Sequence, residues 1–136
     1  MSESALHMML VNRLADWIEN SLLGGDSGYI LIDNPDRRVQ DKPPIVYGFI
    51  PDVYVMNAPG HGIIIGEAKT TRDVENNHSI EQYQAFLQKC AELKDSLFVL
   101  AVPWYMIRLA ESILKELKKK IGAEEVTTKV LEKLPG

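Results

Sequence analysis

The sequence has a single cysteine, no internal repeat, no low-complexity block and no run of eighteen apolar residues. Cys90 cannot form an internal bridge, so a small disulfide-stapled scaffold is excluded and a reducing cytoplasm is the expected compartment. Without a long apolar run there is no candidate for a membrane-spanning helix. The start, Met1-Ser2-Glu3-Ser4, has no basic region, and His7, Asn12, Arg13 and Asp16 interrupt the apolar residues after it, so no signal peptide is expected. Positive charge is also scarce. The 15 Lys and Arg stand against 19 Asp and Glu, a net charge of −4, which argues against the strongly basic balance of a dedicated nucleic-acid binder.

What is present has a globular composition, 46% hydrophobic and 25% charged over 136 residues. A chain of this length buries about two-thirds of its unfolded surface, enough for a core without disulfides or structural metals. One domain over residues 1–136 is predicted, since no linker or long loop interrupts the patterning. Charge is uneven along it: residues 37–72 carry five bases and three acids, whereas residues 1–36 carry one base and six acids.

Leu6, Met9, Leu10, Leu14, Trp17, Ile18 and Leu22 recur at helical spacing and stop at Gly24-Gly25, which predicts an amphipathic first helix. Tyr29 to Ile32 reads as a short strand ended by Asn34-Pro35-Asp36. Ile45 to Met56 and Gly62 to Lys69 read as two strands joined by the turn-rich Asn57-Ala58-Pro59-Gly60-His61, hence antiparallel neighbours. A helix is predicted from Ser79 to about Leu93, a buried strand over Leu97 to Val102, and a last helix from Ile107 to about Gly122. Val126 to Leu134 fits either a short strand or a helix. The order α-β-β-β-α-β-α predicts an α/β domain, with a mixed central sheet flanked by helices.

The chemistry concentrates in Pro51-Asp52 and, after fourteen intervening residues, Glu67-Ala68-Lys69. Side chains alternate along a strand, so Glu67 and Lys69 share one face while Ala68 points to the other. A hairpin would set Asp52 beside Glu67 across the strand pair. Two converging carboxylates raise each other's pKa and call for a counter-charge. Lys69 is one candidate. A divalent ion is the other, and carboxylate, carbonyl and water ligands suit Mg²⁺ or Mn²⁺. Such an ion beside a lysine can polarise a phosphodiester oxygen and lower the pKa of a bound water.

Pro51-Asp52 followed by Glu67-Ala68-Lys69 at strand positions resembles the PD-(D/E)XK nuclease superfamily, whose restriction-endonuclease-like fold has an α-β-β-β-α-β core and includes Holliday-junction-resolvase-like and phage-type nucleases. The motif alone should occur by chance in roughly a few per cent of chains of this size, and the order of the elements around it adds to it. The resemblance covers residues 1–105. It implies that Asp52, Glu67 and the Ala68 carbonyl hold Mg²⁺, with Mn²⁺ able to substitute, and that Lys69 orients or activates the attacking water. Gln82 lies thirteen residues after Lys69. Many members have a glutamine followed four residues later by a tyrosine; here Phe86 keeps the aromatic body without the hydroxyl, for which Tyr83 is the neighbouring source. Some members also place an acid in the first helix, and Glu3 and Glu19 both qualify. The implied activity is that of a metal-dependent endo- or exodeoxyribonuclease acting on DNA.

Each of these residues also has a plainer reading. Asp52 fits a bulge or edge contact after proline, and Glu67 and Lys69 fit a pair of exposed strand-end charges. Ser79-Ile80-Glu81-Gln82 fits a capping box as well as it fits a catalytic glutamine. His7, His61 and His78 have no partner at metal-ligand spacing and receive no role. Lys115, Lys118 and Lys119 fit a solvated helix face, whereas Arg37, Arg38, Lys42 and Arg72 flank the motif and are the candidates for phosphate contacts. A core this short usually gains a second DNA contact by pairing, so a homodimer is expected. The alternative function is a non-catalytic or partner-dependent nucleic-acid-binding or scaffold protein of the same fold, which the charge of −4 favours.

Overall fold

The run Ile63-Ile64-Ile65 is apolar at both parities, so a strand built from it needs cover on both faces. It receives that cover at the centre of a five-stranded sheet. The computed structural model describes residues 5–26, 28–35, 38 and 41–131. Helix α1 (Ala5–Leu22) leads into β1 (Ile30–Ile32), β2 (Val53–Val55) and β3 (Ile64–Ala68). Helix α2 (Asn77–Ala91), β4 (Leu97–Ala101), α3 (Ile107–Ile121) and β5 (Thr127–Leu131) follow. The sheet order is β1-β2-β3-β4-β5. The first three strands pair antiparallel, and β3-β4 and β4-β5 pair parallel, with α2 and α3 as the connections. The chain is therefore α/β with a mixed sheet flanked by helices.

Alternation along the strands sorts the core into two halves. Leu10, Leu14 and Ile18 of α1 pack on one face with Val53, Val55, Ile64, Val99 and Ala101. Tyr83, Phe86 and Leu87 of α2 and Leu114 of α3 pack on the other with Tyr54, Ile65, Phe98 and Leu100. Phe86 is fully buried, its ring 6.0 Å from that of Phe98, so its place is set by the core. The Tyr83 hydroxyl donates to the Val74 carbonyl at 2.8 Å. It does not replace the hydroxyl that Phe86 lacks at the cleft.

Two predicted elements need correction, and a third, left open, takes one of its two forms. The strand expected over Ile45 to Met56 shrinks to Val53–Val55. Ahead of it the chain makes a tight turn at Tyr47 (φ 47°) and Gly48 (φ 88°), closed by the Val46 and Phe49 backbones, and Pro51 has no N–H to pair. Helix α2 begins at Asn77 rather than Ser79, because Asn76 is its N-cap and accepts from the Ser79 N–H. The end of the chain, open between strand and helix, forms β5, an edge strand with exposed Thr127 and Lys129 alternating with more buried residues.

Candidate active site

The antiparallel register sets Val53 opposite Gly66, so the next pair outward along the two strands is Asp52 and Glu67. Both face the α2 side, Glu67 two residues after the core residue Ile65, whereas Ala68 belongs to the α1 side. The two acids are held by reciprocal backbone contacts. The Asp52 N–H donates to Glu67 Oε1 at 3.1 Å, and the Ala68 N–H donates to Asp52 Oδ2 at 2.8 Å. Bonds from backbone amides to carboxylates are charge-assisted and fix the rotamers of both. Asp52 is 6% exposed, Glu67 2% and Lys69 8%. The readings as an edge contact and as exposed strand-end charges therefore fail on burial.

Lys69, on the same face as Glu67, places its ammonium 3.1 Å from Glu67 Oε2 and donates to the Gln82 amide oxygen. Gln82 therefore reaches the site and not the helix cap; the cap is supplied three residues before Ser79 by Asn76. Burial, then the charge of Asp52, pushes the Glu67 carboxyl well above the usual carboxylate range, against the pull of Lys69.

His7 completes this group, and the sequence assigned it nothing. In the first turn of α1, its Nε2 lies 3.0 Å from the Ala68 carbonyl oxygen and 3.3 Å from Asp52 Oδ2. Burial lowers the affinity of its ring for a proton, but hydrogen bonding to Asp52 and the charge of Asp52 outweigh that, and its pKa is raised. Asp33, whose N–H donates to the Asp52 carbonyl at 2.8 Å, adds a further carboxyl. Burial and then Asp52 raise its pKa, opposed by Lys42 and His7. Of the acids considered for α1, Glu19 lies twelve residues beyond His7, about 18 Å along the helix axis. Glu3 lies outside the described residues.

These side chains line one cleft of about 600 Å³, with Arg72, Asp73 and His78 also in its wall. Of the predicted phosphate contacts, Arg72 is at the cleft, and Lys42 is near enough to act on Asp33. Arg38 is exposed and is not among the residues that line the cleft, and Arg37 lies outside the described residues. Lys118 donates to the Val126 carbonyl, a structural use.

The donor set fits a hard divalent ion in kind: two buried carboxylates of like charge and one backbone carbonyl at a single strand end. Among the described residues no three or more His, Cys, Asp or Glu side chains gather as a ready metal site, so the set is two carboxylates with the Ala68 carbonyl. An ion there would take over contacts that His7 now makes to Ala68 and Asp52. Comparisons with protein-family models, with curated proteins and with solved structures returned no match.

Proposed function

We propose that the chain is a divalent-metal-dependent nuclease of the restriction-endonuclease-like fold, a member of the PD-(D/E)XK superfamily acting on DNA. One observation carries this reading. Two carboxylates, Asp52 and Glu67, are buried side by side and oriented by backbone amides at the head of a cleft that also holds Lys69. Structural acids are rarely buried in pairs without full compensation, because each charge taken out of water is costly. Asp52, Glu67 and the Ala68 carbonyl would hold Mg²⁺ or Mn²⁺, which supplies Lewis acidity to the phosphate and lowers the pKa of a bound water. Lys69, fixed by Gln82, would position the attacking water and offset charge on the phosphate. Arg72, with Lys42, would receive the flanking phosphates. Pairing of two chains would bring a second stretch of DNA under control, and an elution volume matching a monomer would remove that part.

The decisive assay is cleavage of single-stranded, duplex and branched DNA with Mg²⁺ or Mn²⁺. Asp52→Asn and Lys69→Ala should each abolish it, and activity surviving both substitutions rejects the assignment. A second reading, a non-catalytic or partner-dependent member of the same fold, is favoured by the way Lys69 and His7 already engage the acids from within the chain. Calorimetric titration with Mn²⁺ separates the two, since absence of binding supports the second.

A further inference from the structure

A second feature stands at the same end of the sheet, beside the cleft. After β4 the chain turns through Pro103 into Trp104-Tyr105, and both rings are left in solvent, 66% and 57% exposed. The rings are 5.6 Å apart and nearly perpendicular, at 87°. With Ile107, Arg108 and Glu111 they wall a shallow cavity of about 530 Å³. Single exposed apolar residues are ordinary on a protein surface. Adjacent exposed Trp and Tyr with a guanidinium beside them are less so, and they offer flat faces for stacking and a cation for a phosphate.

Position gives the patch its sense. β3 and β4 are parallel neighbours, so the residues that follow each of them emerge at one edge: Lys69 after β3, Trp104 and Tyr105 after β4. The Tyr105 and Thr71 hydroxyls are hydrogen-bonded, and Thr71 opens the short 3₁₀ turn Thr71–Asp73, whose Arg72 and Asp73 line the catalytic cleft. The aromatic pair is thus one hydrogen bond from the mouth of the site. Glu111 places a carboxylate in the same wall, which disfavours a phosphate-dense duplex and leaves the ring faces as the main attraction.

We propose that Trp104, Tyr105 and Arg108 form a stacking platform for unpaired bases of a single-stranded nucleic acid, whose strand continues past Arg72 into the cleft. This rests on the nuclease reading for the direction of the strand, and it names the substrate class as a single strand or a single-stranded end. Every base has a ring face, so the platform tolerates any sequence.

The test uses the full chain in EDTA, where cleavage cannot occur, and a labelled oligothymidylate of about twelve nucleotides. Anisotropy gives the affinity, and the part of the tryptophan emission change that is lost in Trp104→Ala reports on Trp104, the other tryptophan being Trp17 in α1. The strand should quench that emission. Trp104→Ala and Tyr105→Ala should each weaken binding about tenfold or more, with circular dichroism unchanged, and a duplex of equal length should bind more weakly than the strand. Unchanged affinity in both variants, or saturation without quenching, overturns the platform. So does a dimer that dissociates in Trp104→Ala while no oligonucleotide binds, which would assign the patch to a second copy of the chain. A parallel cleavage assay with Mn²⁺ keeps the two readings apart. Binding with quenching but no cleavage rejects the nuclease and leaves the platform, whereas cleavage of the same single strand with affinity undiminished in both Trp104→Ala and Tyr105→Ala does the reverse.

Discussion

Lys69 keeps its ammonium inside the protein, between the Glu67 carboxylate and the Gln82 amide oxygen. Removing one acceptor leaves a buried cation under-solvated, a cost of about 1–3 kcal/mol. Gln82→Leu should lower the stability measured by urea unfolding by that amount. Under the proposed nuclease activity it should also reduce DNA cleavage on the order of a hundredfold through misplacement of the ammonium. An unchanged urea midpoint would return Gln82 to an ordinary helix position. Cys90 illustrates the effect of burial, its thiol pushed up to about 12 by desolvation. Thiol reagents at neutral pH should leave it unmodified in the folded chain and label it fully in urea; equal labelling rates in both conditions would contradict its burial. Among the site residues, Asp52, Glu67, Ala68 and Lys69 were legible in the sequence because strand alternation needs only local spacing. His7 was not, because its contacts to Ala68 and Asp52 depend on how the first turn of α1 meets the end of β3, across 61 residues of sequence.

The elements hold the site through close approach as much as through charge. A Cβ on Gly66 would lie 3.0 Å from Leu14 Cδ2 and 3.2 Å from both Ile18 Cδ1 and Val53 Cβ, so α1 rests almost directly on the β3 backbone. Gly66→Ala should destabilise the fold by about 1–3 kcal/mol through overpacking. Because α1 also carries His7, the same substitution should alter the His7 ring resonances in NMR. A stable variant with those resonances unmoved would show that the helix seat is loose. The element order through α3 followed from periodicity, as did the end of α3 at Gly122, which adopts the left-handed conformation at φ 71°, whereas the fifth strand was left open between strand and helix. Periodicity failed where backbone chemistry overrode it. Ile45 to Ile50 is apolar enough for a strand, yet the turn at Tyr47-Gly48 and the absent N–H of Pro51 withhold it from the ladder. Ser79 has the residue type of a cap and Asn76 holds the position, a choice that depends on where α2 meets the turn before it.

For the molecule as a whole, three groups of the cleft shift the same way, and together they tie stability to pH. The Glu67 and Asp33 carboxyls are raised, each by burial first and the charge of Asp52 second. His7 is raised above its ordinary value of 6.5, hydrogen bonding and the charge of Asp52 overcoming its burial. In all three the folded chain binds a proton more tightly than the unfolded chain does. For the two acids, stability declines as pH rises from the ordinary carboxyl range through the raised folded values. For His7, stabilisation is complete below its ordinary value and is lost as pH rises through the raised one. The contributions share a sign, so the metal-free chain should melt a few degrees lower at about pH 8 than at about pH 5.5. A divalent ion between Asp52 and Glu67 replaces the missing protons and should raise the melting temperature more at the higher pH. Differential scanning in EDTA and in Mn²⁺ checks both, and a metal-free melting temperature that rises with pH contradicts them. General repulsion within a chain of net charge −4 would give a dependence of the same sign, but Glu67→Gln separates the causes. It changes the net charge by a single unit while removing a fully buried carboxyl, so a local origin predicts that the pH dependence shrinks to the part held by Asp33 and His7 and that the Mn²⁺ effect disappears. A diffuse origin predicts that both survive nearly intact.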